Sequence, residues 1–329
     1  MHDLQLRLAI NRMTGLRPHE KLQLEDLVDS ERFFCSLTAP LLSRITGRPI
    51  AEHAAAPDDL LRMAERDLRY IRSNRVHVIP CYDAKYPAML REIYDPPYLL
   101  YLRGELPAWD SLMIAVVGTR DPGAEAVISA MQLGRELSGD GFYVISGLAR
   151  GIDCAAHQGA LSAGGLTGAV LGSGIDAVTP YSSRETAARM LDSGGFLLSE
   201  YAPGVHAAKY HFPARNRIIS GLSRGVVIVQ APARSGALIT ADYALDHGRD
   251  LFVHSVGVNG AAGAGSSDLA ADGALIIDSA RDIYAEWGIE PEPRFATAVR
   301  KASPPVDSRD AGRQLAEELR FSLQGSGRE

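Results

Sequence analysis

The chain has 329 residues, 46% of them hydrophobic, enough to bury a sizeable core in one large domain with a smaller one beside it. A formal net charge of -6 excludes a surface coated with positive charge, so an anionic partner would have to meet a local field. Cys35, Cys81 and Cys154 are scattered without metal-ligand spacing, no apolar run reaches bilayer length, and the N-terminus lacks a signal pattern; a soluble cytoplasmic protein with no membrane association and no metal is expected. Arginine dominates the 34 basic residues, with lysine at Lys21, Lys85, Lys209 and Lys301. Genome base composition accounts for such a bias, so it says nothing about nucleic acid by itself.

In chain order, residues 1–75 read as a small helical domain. Leu4, Leu6, Leu8, Ala9 and Met13 precede a break at Gly15 and Pro18; Leu22, Leu24 and Leu27 follow, then segments over Phe33–Ile45 and Asp58–Ile71. A lead-in segment over 76–110 holds a strand at Val76–Pro80, a helix at Tyr86–Ile93 and a strand at Pro97–Leu102. From Met113 to about residue 288 short apolar runs alternate with helical stretches. The runs are Ile114–Val117, Phe142–Ile145, Gly168–Leu171, Phe196–Ser199, Val226–Val229, Leu251–His254 and Ala274–Ile277. Several are apolar at every position, as strands buried on both faces of a parallel sheet are; the expectation is an α/β, doubly wound, mostly parallel sheet. Residues 289–329 read as a linker carrying Pro291, Pro293, Pro304 and Pro305, then one short amphipathic helix.

Ligands of doubly wound sheets sit beyond the carboxyl ends of the strands, where helix N-termini present free N–H groups. Four such ends here open into small-residue turns: Gly118–Thr119–Arg120, Ser146–Gly147 running to Arg150 and Asp153, Gly172–Ser173–Gly174, and Ala231–Thr240 with Ser235 and Gly236. Glycine lets a backbone approach an anion, and Ser and Thr supply donors. Tight βα turns use glycine for their own sake, so no single turn decides the matter. Neither a Gly-x-Gly-x-x-Gly nor a P-loop lysine motif is present, and no cofactor is expected.

Charge is more informative. Between Tyr201 and Ala241 there is no Asp or Glu, while Lys209, Arg215, Arg217, Arg224, Arg234, His206 and His211 all fall there. Lys and Arg neutralising phosphates supply most nonspecific nucleic-acid affinity, and unpaired bases stack on aromatic rings such as Tyr210 and Phe212. The plainer alternative makes Phe212 a core residue, with Arg215, Arg217 and Asn216 in internal hydrogen bonds. Catalytic readings are weaker. Asp153 and His157 share a helical face, but helix-end complementation and packing against the sheet explain them; Glu200 ends a strand without an evident partner, and Cys154 lacks an activating base.

These segments resemble the DNA-processing protein A (DprA/Smf) family. The matching stretches are Val116–Arg120, Ser146–Ala160, Ser199–Gly204, His211–Ser223 and Arg234–Ala241, with Tyr82–Pro87 and Pro96–Gly104 in the lead-in. The resemblance implies an extended Rossmann-like fold preceded by a small helical, SAM-like domain. It further implies a noncatalytic homodimer that binds single-stranded DNA and loads the RecA recombinase during natural transformation. By the same resemblance Arg120, Lys209 and the Ser146–Gly147 backbone would hold phosphate, Arg215 and Arg217 would add charge, Phe212 would meet a base and Asn216 would hydrogen-bond nearby. The block 146–160 brings Arg150 into the same turn, and Gly118, Thr119, Ser235, Gly236 and Thr240 complete the expected interface.

The chain departs from the family pattern at Gln230, where a glutamate is usual, at Thr179–Pro180–Tyr181 in place of a Tyr-Pro pair, and at Val253–Gly257 in place of a Val-Pro-Gly turn; no C-terminal winged helix is expected. Gln230 would make a groove less negative if it lined one. The competing reading is a nucleotide-processing, phosphoribohydrolase-like hydrolase on the same scaffold, with Glu200 or Asp153 as its carboxylate. Against it stands the missing Pro-Gly-Gly-x-Gly-Thr type loop.

Overall fold

The computed structural model describes residues 4–51, 56–110 and 112–290. The linker and helix expected over 289–329 lie, from residue 291, outside the described residues.

The chain opens with helices α1 (Leu4–Asn11), α2 (Pro18–Leu27), α3 (Glu31–Cys35), α4 (Ala39–Thr46) and α5 (Pro57–Ser73). Pro18 and Pro57 stand at first helical positions, where no N–H is needed. The side chains of Ser30 and Thr38 accept from Phe33 N and Leu41 N at the starts of α3 and α4. In α5, Leu60, Leu61, Ala64, Leu68 and Ile71 form one buried stripe at helical spacing.

Next come β1 (His77–Pro80), α6 (Ala88–Arg91) and β2 (Leu99–Gly104). The helix expected from Tyr86 to Ile93 contracts to α6, because Pro87 cannot continue a turn backwards and the Tyr86 hydroxyl is drawn inward to donate to Pro97 O at 2.9 Å. The remaining elements are β3 (Met113–Val117), α7 (Ala124–Gly139), β4 (Tyr143–Ser146), α8 (Ile152–Ser162), β5 (Thr167–Val170), α9 (Arg184–Asp192) and β6 (Phe196–Ser199). They continue with α10 (His211–Leu222), β7 (Gly225–Ile228), α11 (Gly236–Asp246), β8 (Asp250–His254), α12 (Ala264–Ala271), β9 (Leu275–Ile277) and α13 (Ala280–Trp287).

Among the described residues the strands form one nine-stranded sheet in the order β1-β2-β6-β5-β4-β3-β7-β8-β9. The pairs β1–β2 and β2–β6 are antiparallel and all others parallel, so the lead-in segment is an extension of the main sheet. Alternation along the strands decides what covers each face. Met113, Ala115 and Val117 meet α10 and α11 through Ile218, Ile219, Ala237 and Ala241, whereas Ile114 and Val116 meet α7 and α8 through Ala126, Ala130, Ala155 and Ala156. Farther along that second face, Leu99, Tyr101, Ala169 and Leu197 pack in one apolar cluster with Leu8, Ile10, Leu42, Leu61 and Leu68. The N-terminal helices thus complete a layer of the sheet domain.

From β3 the chain winds outward through β4, β5 and β6, then returns along α10 to place β7 on the other side of β3. The loops after β3 and β7 therefore part to opposite faces. A crevice opens at this reversal, at the carboxyl ends of both strands.

Candidate nucleic-acid interface

The crevice is a cleft of about 550 Å³. Gly118, Thr119 and Arg120 beyond β3 form one side, Ser235, Gly236 and Thr240 at the start of α11 the other, and Phe212, Arg215 and Asn216 of α10 close it together with Lys209. A second cleft of about 420 Å³ adjoins it and shares Arg120, Ala149 and Phe212; Gly147, Arg150 and Thr179–Ser182 complete its lining. The two are lobes of one groove, divided by Arg120 and Phe212. The Arg120 guanidinium carbon lies 5.3 Å from the centre of the half-buried Phe212 ring. Phe212 is held there because residue 172 is glycine: a Cβ at Gly172 would come within 2.9 Å of the ring. Asn216 donates to Gly236 O at 3.1 Å and ties α10 to the start of α11, which Ser235 caps by accepting from Ala237 N at 3.3 Å. Of the expected interface residues, all but Ser146 and Arg217 line one lobe or the other.

Those two are corrections, whereas Arg215 lines the first lobe from beneath. Ser146 is fully buried and its hydroxyl donates to Val116 O at 2.7 Å; the Gly147 N–H is already occupied, donating to Asp153 Oδ2 at 3.1 Å. The Ser146–Gly147 backbone therefore shapes the turn and does not offer that N–H to a phosphate. Arg217 is 7% exposed and clasped by Glu200, with bonds of 2.8 and 2.6 Å, while its Nε donates to Asp95 O at 3.0 Å. Its charge is neutralised inside the fold.

Arg215 is 3% exposed, donates to Val170 O and lies so close to Gly147 that a Cβ there would fall 2.0 Å from Nη1. Burial lowers its pKa to about 10, against the pull of Asp153, so it stays charged at neutral pH as a fixed floor beneath the first lobe. Its Nε has no hydrogen-bond partner among the described residues. Arg224 lies over the Trp287 ring at 4.4 Å, so of the acid-free segment's five Lys and Arg residues three are engaged internally, more than the charge pattern suggests.

Exposed Arg120, Arg150 and Lys209, which have no ion pair among the described residues, stand at the rim instead, and exposed Arg234 precedes Ser235 without lining either lobe. Two residues of the groove turns, Leu148 (φ 57°) and Arg234 (φ 63°), hold left-handed backbone conformations that non-glycine residues rarely adopt. Gln230 lines neither lobe. It is 7% exposed, and its Oε1 accepts from Gly123 N at 2.9 Å, bracing the β7 end against the β3 loop across the crevice. Lys209 rides on the loop after β6. The side chain of Arg12, just past α1, holds that loop by donating to Pro203 O at 2.6 Å while pairing with Asp67 of α5.

Asp153 and His157 are structural. Burial raises the Asp153 pKa, opposed by Arg215 and by the Gly147 and Ala149 N–H groups. His157 Nδ1 lies 2.7 Å from Thr167 Oγ1, which itself donates to Val144 O, so Nδ1 carries the proton; burial, with the charge of Arg215, lowers its pKa to about 3. Tyr181, which no sequence signal marks, lines the second lobe. An exposed tyrosine beside Thr-Pro in a loop carries no periodic or charge signal.

Fold and groove together define a doubly wound α/β protein with a cationic, aromatic-bearing cleft at the point where strand order reverses. The family profile of DNA recombination-mediator protein A matches residues 77–288, and the chain belongs to that family. It is 42% identical over 212 residues to DNA processing protein DprA of Streptococcus pneumoniae, covering 62% of this chain and 72% of that protein. Identity to DNA processing protein DprA of Bacillus subtilis is 36% over 255 residues, covering 76% and 85%. Its fold is similar to the X-ray structure of the Streptococcus pneumoniae protein, with a TM-score of 0.69 and 32% identity over 87% of this chain and 99% of that one. DNA processing protein A of Helicobacter pylori, whose structure is described for its single-stranded DNA binding mode, gives a TM-score of 0.59 and 27% identity over 66% and 98%. No helix among the described residues is long and apolar enough to cross a membrane.

Proposed function

We propose that this chain binds single-stranded DNA in the two-lobed groove, without catalysing a reaction on it, and that it acts as a homodimer that hands the strand to a RecA recombinase. The observation that carries the binding reading is Arg120 over Phe212: a cation with no carboxylate partner among the described residues, beside a half-buried ring, at the crevice where this fold class receives ligands. The buried charge of Arg215 below and Lys209 at the rim extend the field along a strand. The Helicobacter pylori relative supports the choice of single-stranded DNA; dimer and recombinase rest on the family resemblance. The hydrolase reading loses its candidates. Glu200 is bound by both terminal nitrogens of Arg217, and Asp153 is buried and held by two backbone N–H groups.

The test is a titration of single- and double-stranded oligonucleotides at two salt concentrations. Wild type is expected to prefer single strands, and Arg120→Ala and Lys209→Ala each to flatten the slope of log affinity against log salt by about 0.7 with unchanged thermal stability. If the variant carrying both Arg120→Ala and Lys209→Ala binds as wild type does, the groove is not the DNA site.

A further inference from the structure

The second lobe repeats the chemistry of the first. Tyr181 begins a single 3-10 turn after Pro180, is 76% exposed, and carries the Arg184 guanidinium carbon 4.4 Å from its ring centre. Arg120 over Phe212 is the same pairing in the first lobe, at 5.3 Å. Tyr181 lines the second lobe with Arg150 and Thr179, and Arg120, Ala149 and Phe212 belong to the walls of both lobes. Arg184 and its neighbour Glu185 are both exposed and neither lines the lobe, so Tyr181 is the member of the pair that faces it.

A single strand presents base and phosphate alternately. A groove built to follow one needs a ring and a cation at each step, because any base offers a π-face to stack on and each phosphate a charge to neutralise. Phe212 with Arg120 supplies one such step. We propose that Tyr181 with Arg184 is a second base-stacking subsite, with Arg150 facing the intervening backbone, so that the groove grips nucleotides in both lobes. This rests on the reading of the groove as a single-strand site.

The experiment measures binding of fluorescent oligothymidylates of graded length to the full chain, with Tyr181→Ala, Tyr181→Phe and Arg120→Ala compared with wild type. Tyr181→Ala is expected to bind the shortest competent oligonucleotides as wild type does and the longer ones on the order of ten-fold more weakly, while Tyr181→Phe restores wild-type binding at every length. Tyr181→Trp is expected to gain an indole emission that long oligonucleotides quench. The subsite is overturned if Tyr181→Ala and wild-type curves coincide at every length, or if the loss is equal at all lengths, which would place the ring in the first lobe. If Arg120→Ala binds as wild type, the groove reading itself fails. If Arg120→Ala loses binding and Tyr181→Ala does not, the second subsite alone fails.

Discussion

At the scale of residues, the arginines divide by what surrounds them. Arg217 and Arg120 are indistinguishable by type, yet one is wrapped by Glu200 and the other lies in solvent on a ring. Arg217→Ala leaves the Glu200 carboxylate without its partner, and a loss of about 3–5 kcal/mol in urea unfolding is expected, the cost of breaking a buried pair. A variant as stable as wild type would show that Glu200 is solvated some other way. His157 gives the acid limit. Its pKa falls to about 3 in the fold from an ordinary 6.5, so the unfolded chain binds the extra proton; its contribution to stability is complete above pH 6.5 and drains away as pH falls toward 3. His157→Asn, which keeps a donor near Thr167, is expected to flatten the fall in Tm between pH 6.5 and 4.5. Equal slopes in the two proteins would assign the acid sensitivity elsewhere. None of this was legible in the charge pattern. The acids that meet Arg217 lie at Asp95 and Glu200, outside the acid-free segment, and a one-dimensional reading cannot see which charges a fold will bring together.

At the scale of elements, the strands were legible because burial on both faces removes polar residues from every position, as in Met113–Val117 and Gly225–Ile228. The groove turns were legible too, since glycine, serine and threonine cluster where strands end. What the sequence hid is how elements hold one another. Arg12 reaches from the end of α1 to the carbonyl of Pro203 in the loop that carries Lys209, and Asp67 of α5 fixes the guanidinium from behind. The helices of the first seventy residues thereby position a cation they do not contain. Arg12→Ala is expected to weaken single-strand affinity severalfold through Lys209, and to add little to the loss in Lys209→Ala. Fully additive losses in the double variant would show that the two act independently.

At the scale of the whole molecule, the boundary near residue 75 that composition suggests is not a boundary of the core. Leu8, Leu42 and Leu68 share one apolar cluster with Leu99 and Leu197 of the sheet. Composition marks where helices give way to strands; it does not report whether the two layers can part. The reversal of strand order has a consequence for how the protein comes into being. One wall of the first lobe lies at Gly118–Arg120 and the other at Pro232–Thr240, so the contacts that make it are nonlocal. The first lobe has both of its walls only once β7 and α11 have joined β3, and an unfolded chain has neither. Single-stranded DNA should then act as a ligand of the folded state alone: at a hundred times its Kd it is expected to add about 2.7 kcal/mol to stability and to raise Tm in a concentration-dependent way. The first lobe's grip on a strand thus arrives late in synthesis, as a property of the finished topology.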